Sequence, residues 1–305
     1  MNLEIYLLSL LTAVMWGIMQ AFYKRGLAAG GHPLQSSLTV VGVNLIIFWV
    51  LLLAMPNQEV LFNNISMRAI FIFSLGGILG TALGRWINAV GLDKVGATVN
   101  SAASSARPLF TAIIAMIWLG EIGEPLLYWG ILILVSGIVL LTFSKGGNIQ
   151  GWHPRTLWIP LAGAAVLAIG NVIRRFGLMT TSITVLEALT INQTAAFIVL
   201  LSSILTGGRR HNLLQATRVS YLFFITAGIF GAVALISLFA ALENGPVSVV
   251  DPLVGTQPLF TTAIAYFLLN DLERITWGLI GGVLLVVIGA SMIMLSDITL
   301  ALATP

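Results

Sequence analysis

Long apolar stretches, separated by short polar breaks, make up most of this sequence. A helix that crosses a lipid bilayer needs about 20 mostly apolar residues. Segments of that kind recur ten times, at residues 4–23, 35–55, 69–91, 96–119, 126–144, 157–178, 183–205, 220–242, 247–269 and 276–296. They are continuously apolar, whereas the strands of a membrane barrel alternate apolar and polar residues. The pattern therefore predicts an all-α polytopic membrane protein with ten transmembrane helices.

A repeated pattern of residues relates the two halves of the chain. The motif Pro-Leu-Phe-Thr occurs at 108–111 and again at 258–261, and a glycine-bounded apolar segment at 130–137 recurs at 282–289. The offset between matched positions stays between 150 and 152. Chance similarity between apolar stretches does not produce several matches at a nearly constant offset, so we predict two sequence-related units.

The most polar break near the middle of the chain, at 145–154, separates these units. We place the first five-helix repeat at residues 1–146 and the second at residues 154–297. Because five is an odd number of crossings, the second repeat enters the membrane from the opposite side. Inverted repeats of this kind hold a substrate near the bilayer midplane, where the repeats meet. The sequence thus predicts two inverted five-helix repeats and favours a transporter.

Short motifs fall at matching places along the predicted helices. They are Trp16-Gly17 in the first helix, Gly76, Gly77, Gly80 and Gly84 in the third, Pro108-Leu109-Phe110 with Gly120-Glu121 in the fourth, and Gly130 and Gly137 in the fifth. The second half repeats them less faithfully, since Gly170 lacks a preceding tryptophan and Asn270-Asp271 replaces Gly-Glu. With these motifs the whole chain resembles the EamA-type members of the drug/metabolite transporter superfamily.

The resemblance implies a secondary transporter that works by alternating access in the cytoplasmic membrane. Carriers of amino acids, nucleotide sugars and phosphorylated metabolites share this architecture, so the fold alone does not choose a substrate. We expect a small polar metabolite, an amino acid or a related organic anion, to be exported by a monomer or homodimer. Protons are the candidate coupling ion. The alternatives are a membrane-embedded enzyme and a non-transporting, channel-like membrane protein.

The residues that an enzyme or a cofactor site would need are scarce in this sequence. It contains no cysteine, and its three histidines, His32, His153 and His211, lie in predicted loops without the spacing of metal ligands. Charged residues make up 8% of the chain, against about 25% in soluble domains. No basic and aromatic patch indicates nucleic-acid binding. We therefore expect no enzymatic activity and no cofactor, metal or nucleic-acid partner.

Ionisable residues inside the predicted spans are the first candidates for a substrate site, because a charge at membrane depth is costly unless it has a function. Four of them stand out: Arg85, Arg107, Glu187 and Asp251. Arg107 and Asp251 each precede a proline, which removes a backbone donor and can open the helix. A structural ion pair between Arg107 and Asp251 is the alternative interpretation. Arg85 has the alternative of extending to the membrane interface.

Uncharged polar residues and aromatics complete the candidate site. Asn100, Ser104 and Arg107 share one helical face of the fourth span, through spacings of four and three residues. The predicted substrate-binding residues are Trp16, Gln20, Tyr23, Arg85, Trp86, Asn100, Ser104, Arg107, Glu187, Asp251, Thr256 and Gln257. The alternatives are helix packing for the small residues and interface anchoring for the aromatics.

The distribution of lysine and arginine among the loops bears on orientation. If the N-terminus is inside, the cytoplasmic loops hold three of these residues and the opposite loops hold nine. Short cytoplasmic loops carry the excess of positive charge, so the count favours both termini outside, whereas the resemblance favours both inside. The count treats Arg174 and Arg175 as loop residues, and their placement within the membrane would strengthen the bias.

Overall fold

The computed structural model of this protein describes residues 3–54, 65–107, 109–110, 125–144, 146–148, 150–206, 217–244, 250 and 253–303. The first half contains α1 (Leu3–Ala28), α2 (Pro33–Leu53), α3 (Met67–Gly76), a π-helix (Gly77–Leu83), α4 (Gly84–Val95), α5 (Ala97–Ser104) and α6 (Pro125–Phe143). A short strand, β1 (Gly147–Asn148), and a 3-10 helix (Pro154–Leu157) follow. The second half contains α7 (Trp158–Thr180), α8 (Val185–Thr206), α9 (Arg218–Asn244), α10 (Gln257–Leu268), β2 (Glu273–Arg274) and α11 (Trp277–Ala303).

Six described helical segments are long and apolar enough to cross a membrane. One of them, Met67–Val95, joins α3, the π-helix and α4 into 29 continuous helical residues. Shorter apolar helices lie at Tyr128–Leu141, Leu253–Leu268 and Trp277–Met292. The predicted all-α polytopic membrane protein is therefore confirmed. The count of ten helices and the inversion of the repeats stay predictions, since spans 96–119 and 247–269 extend beyond the described residues.

Large apolar side chains cover the outside of the helical bundle. Phe71, Phe267 and Trp277 are 69%, 78% and 87% exposed, respectively. Such exposure is unfavourable in water and costs nothing against lipid tails. The bundle accordingly presents apolar residues on its outer side as well as in its core.

Local capping residues fix where the helices begin. His32 precedes α2, and its side chain accepts a hydrogen bond from the Leu34 backbone, while the Gln35 side chain accepts one from the His32 backbone. Pro33, at the first helical position, lacks an N–H that would have no helical partner there. Ser66 accepts a hydrogen bond from the Ala69 backbone at 3.1 Å and so caps α3. These caps satisfy donors that would otherwise be unpaired at a helix end.

The two matched glycine-bounded segments, 130–137 and 282–289, pack against each other in α6 and α11. A Cβ atom added to Gly137 would lie 2.7 Å from the Val286 nitrogen, and one added to Gly282 would lie 2.8 Å from Leu141 side-chain atoms. The close approach requires glycine, because any side chain would collide with the facing helix. The repeated motif thus serves helix packing between the two halves.

A second close crossing lies next to the π-helix. A Cβ atom added to Gly170 of α7 would lie 2.6 Å from the Gly80 Cα atom. One added to Gly80 would lie 2.8 Å from a guanidinium nitrogen of Arg174. Single π-helical turns inside α-helices occur frequently at functional sites. Here the turn lies where helices of the two halves come into backbone contact.

Candidate functional site

A cavity lies between helices of both halves, with an empty volume of about 620 Å³ that includes its solvent-open part. The first half contributes Trp16, Met19, Gln20, Gly80, Thr81, Gly84, Arg85, Asn88, Ser104 and Arg107 to its lining. The second half contributes Leu167, Arg174, Leu235 and Gln257. We call this site the arginine cavity, because three arginines line it.

Arg174 is held in the arginine cavity by a chain of buried polar groups. Its guanidinium donates hydrogen bonds to the Thr81 hydroxyl at 2.7 Å and to the Asn171 side-chain oxygen at 2.9 Å. Thr81 donates in turn to the Asn192 side-chain oxygen at 2.7 Å. The guanidinium carbon also lies 5.7 Å from the ring centroid of Phe239. These contacts fix the direction of Arg174, which is only 3% exposed.

Arg107 lies three residues beyond the end of α5 and faces α1. Its guanidinium carbon is 5.5 Å from the ring centroid of Trp16, a distance at which the aromatic face attracts a cation. Arg107 is 4% exposed. Close by in the fold, the buried hydroxyls of Ser101 and Thr261 lie 3.1 Å apart. This contact joins α5 to α10, so the fourth and ninth predicted spans meet at the cavity.

Arg85 is the third arginine, and its polar contacts are weaker. One guanidinium nitrogen lies 3.6 Å from the Met19 sulfur, which is a poor acceptor. The Arg85 Nε atom is buried and has no hydrogen-bond partner among the described residues. Beside it, the Gln20 amide donates to the Asn88 side-chain oxygen at 3.3 Å. Since its described acceptor is a sulfur atom and its Nε has no described partner, Arg85 has bonding capacity left for a ligand.

The charged residues of the described lining are all arginines. The three arginines lie close enough for Arg85 and Arg107 to repel the charge of Arg174. No carboxylate belongs to the described lining. Like charges at short range in a poorly solvated site are costly unless an anion joins them. The arrangement is suited to binding an anionic molecule.

Comparison with known proteins identifies the architecture to which this cavity belongs. A model of the EamA-like transporter family matches the chain twice, over residues 3–143 and 156–295. The chain belongs to the EamA-like transporter family. This confirms the resemblance drawn from the sequence motifs, and it makes the protein a multi-pass membrane protein of a transporter family.

Solved structures agree with the fold of this EamA-like transporter. Among the solved structures, 27 chains match this protein. One crystal structure aligns with a TM-score of 0.65 over 94% of each chain, at 17% sequence identity. At that identity the likeness shows the fold alone. No curated protein matches the chain.

Half of the residues predicted from the sequence line the arginine cavity of this EamA-like transporter. They are Trp16, Gln20, Arg85, Ser104, Arg107 and Gln257. They come from four predicted spans of the two halves, and the fold brings them to one place. Their assignment as substrate-binding residues stays a prediction.

The structure places other predicted residues outside this lining. The Tyr23 hydroxyl lies 3.2 Å from the Ser37 hydroxyl, and Trp86 packs in an apolar cluster. Asn100 is fully buried. The Thr256 hydroxyl donates a hydrogen bond to the Leu253 carbonyl. Asp251 lies outside the described residues.

Glu187 lies in the first turn of α8, away from the arginine cavity. Its carboxylate accepts hydrogen bonds from the Thr184 backbone at 3.0 Å and from the Thr184 hydroxyl at 2.8 Å. A carboxylate at this position satisfies free N–H groups and interacts favourably with the helix dipole. The geometry thus gives Glu187 a capping function at the start of the helix.

Three polar lining residues were absent from the sequence prediction: Thr81, Asn88 and Arg174. The loop count above included Arg174, which the structure places inside α7. Asn171, three residues before Arg174, was the available signal, because polar residues three apart share a helix face. Thr81 gave no such signal, since threonine is common at helix-packing positions in membranes.

The two halves are also joined at the end of the bundle where α1 and α4 terminate. Glu273 of β2 accepts hydrogen bonds from the Ala97 and Thr98 backbone N–H groups and, at 2.8 Å, from the Thr98 hydroxyl. It therefore caps α5 from the opposite half. Nearby, Arg25 pairs with Asp271 at 2.7 Å, and β1 pairs antiparallel with β2. We call this set of contacts the end latch.

Burial raises the pKa of Glu273, and this effect exceeds the lowering by the Ala97 and Thr98 hydrogen bonds and by the charge of Lys24. A raised pKa means that the folded chain binds this proton more tightly than the unfolded chain does. Its stabilising contribution is complete below the ordinary carboxyl pKa of 4.5 and is lost as pH rises through the raised value. We expect the melting temperature to fall over that window, and Glu273→Gln to remove this part of the slope.

Asp271→Asn is the matched control for the end latch. The hydrogen bond from Arg25 lowers the pKa of Asp271, so its contribution has the opposite sign and is lost as pH falls. Melting curves of the purified protein across pH measure both slopes. An unchanged slope in Glu273→Gln would show that Glu273 does not titrate in the latch.

Proposed function

We propose that this EamA-like transporter is a secondary transporter that moves a small organic anion, an amino acid or a related metabolite, out of the cell across the cytoplasmic membrane. The observation that carries the proposal is the arginine cavity. Arg85, Arg107 and Arg174 line one cavity between helices of the two halves. Arginine is suited to such a task because its planar fork matches carboxylate and phosphate groups.

The position of the cavity supports alternating access as the mechanism. Its lining comes from the first, third and fourth predicted spans of one half and from the sixth, eighth and ninth of the other. In inverted-repeat transporters, the substrate lies between the repeats, and one repeat rocks against the other around it. We propose that the same movement opens the arginine cavity to each side in turn.

The end latch supports a transport cycle in which one end of the bundle is held closed. It joins the Glu273 carboxylate of one half to the first turn of α5 in the other. Rocking the halves apart at this end has to break these hydrogen bonds and the Arg25–Asp271 pair. We propose that the latch closes one entrance while the other is open. Protons are the proposed coupling ion, and a monomer or homodimer is the proposed assembly.

A flux assay with the purified protein in liposomes tests this proposal. We expect saturable uptake of a labelled organic anion that unlabelled analogues compete with and that a pH gradient accelerates. Uptake that never saturates would indicate a channel-like protein, and formation of a chemically altered product would indicate an enzyme. Either of these two results would overturn the proposal of a carrier. Liposomes without protein give the background rate.

A further inference from the structure

The number of cations in the arginine cavity carries information about the charge of the substrate. Two of them, Arg85 and Arg174, come from different halves and both line the same space. The Nε atoms of both are buried and have no hydrogen-bond partner among the described residues. The inference rests on the proposed function, and it counts only these two arginines, because the third, Arg107, already lies over the ring of Trp16.

One negative charge leaves such a pair half neutralised. A buried guanidinium keeps its proton, and an uncompensated buried charge carries a large desolvation penalty. Since the described lining contains no carboxylate, we assign the second charge to the bound molecule. A ligand with two negative charges satisfies both arginines.

The same reasoning disfavours a ligand that carries an ammonium group. An ammonium needs a carboxylate or several oxygen acceptors close by. The acceptors in the lining include Gln20, Ser104 and Gln257, whereas the described charges there are all positive. An ammonium would lie within the repulsive field of Arg85 and Arg174, which removes binding energy instead of adding it.

Arg85 and Arg174 have different surroundings, and the difference suggests a different role for each in binding a ligand. Arg174 is already oriented by Thr81 and Asn171, so it meets a ligand without losing much side-chain freedom. Arg85 has only the Met19 sulfur as a described acceptor. It is free to turn toward a second anionic group, so a ligand can span the two side chains.

We propose that the substrate of this transporter is a small organic dianion, a dicarboxylate or a phosphate monoester, bound between Arg85 and Arg174. The apolar part of the ligand packs against the side chains of Trp16, Leu167 and Leu235, which line the same cavity. Zwitterionic amino acids and monocarboxylates bind more weakly, because they leave one guanidinium without an anion.

Calorimetric binding to the purified transporter tests this with four probes, at a pH where their acids are ionised. Succinate, butyrate and 4-aminobutyrate share a four-carbon skeleton and differ in charge at one end, and glycerol 3-phosphate presents a phosphate monoester. We expect succinate or glycerol 3-phosphate to bind at least about 10-fold more tightly than butyrate and 4-aminobutyrate. The stronger of the two dianions distinguishes the dicarboxylate from the phosphate source.

Two variants assign the preference to the arginines. Arg85→Gln and Arg174→Gln each reduce the affinity for the preferred dianion by about 10-fold or more and make it similar to that for butyrate. Arg174→Lys keeps part of the preference, because it keeps the charge. Arg155→Gln, at an exposed position of the 3-10 helix, is the control and leaves the preference unchanged. Arg85 makes few described contacts, so its variant is informative even if Arg174→Gln fails to fold.

Equal affinity for butyrate and the dianions, or binding of none of the four probes, would overturn the dianion proposal. So would a dianion preference that persists in Arg85→Gln. Binding is measured without transport, so the two proposals fail separately. Dianion binding without saturable flux refutes the carrier, and saturable flux of a zwitterion without dianion preference refutes the substrate class.

Discussion

Replacing Arg107 with alanine is expected to lower the transport rate by about 100-fold, because removing one member of a buried charged contact typically costs about 2–5 kcal/mol. Arg107 lines the arginine cavity, is 4% exposed and lies 5.5 Å from the Trp16 ring centroid. We expect the variant to fold and insert. Initial uptake rates in liposomes, normalised to the amount of folded protein, measure the effect.

Arg107→Lys separates charge from shape at this position. Lysine keeps the positive charge but lacks the planar fork that stacks on an aromatic ring, so we expect a transport rate between those of the wild type and Arg107→Ala. Normal transport by Arg107→Ala would refute its assignment to substrate binding. Failure of the alanine variant to reach the membrane would support the structural ion pair with Asp251 that the sequence left open.

A side chain added at Gly170 is expected to have the second largest effect, on both stability and transport. A Cβ atom at Gly170 would lie 2.6 Å from the Gly80 Cα atom, and two backbones cannot yield as a flexible side chain can. Overpacking of this kind costs about 1–3 kcal/mol, and Gly170→Val should cost more than Gly170→Ala. Because α7 also carries Arg174, we expect transport to fall together with the melting temperature.

Gly281→Ala is the matched control for this crossing. A Cβ atom there would meet only Leu140, at an ordinary van der Waals distance of 3.4 Å, so its melting temperature and transport should match the wild type. Scanning fluorimetry of the purified variants gives the melting temperatures. A Gly170→Val protein that is as stable and active as Gly281→Ala would show that the two helices do not cross as closely as described.

The candidate site was partly predictable from the sequence because charge is rare at membrane depth. Arg85 and Arg107 stood out for this reason, and both line the cavity. Glu187 stood out equally, yet it caps α8 through Thr184. An ionisable residue near the start of a span can satisfy backbone donors as readily as it can bind a ligand, and composition does not distinguish the two.

Arg174 shows the opposite case. The orientation argument counted Arg174 and Arg175 with the loop residues, although the predicted span 157–178 includes both. The fold places Arg174 inward, where Thr81 and Asn171 accept its hydrogen bonds, while Arg175 donates to the Leu242 carbonyl at the end of α9. Adjacent helical residues point in different directions, so only the packing of neighbouring helices determines what each arginine meets.

The sequence by itself determined that the chain is helical, crosses a membrane repeatedly and consists of two related units. These properties follow from local rules, since backbone groups in lipid have to bond within their own helix and the bilayer sets the helix length. The tertiary structure alone decided which polar residues share a cavity. Apolar residues face both the lipid and neighbouring helices, so periodicity does not mark the inward face. The packing of the helices, including the close crossing at Gly80 and Gly170, brings Arg174 into one cavity with Arg85 and Arg107.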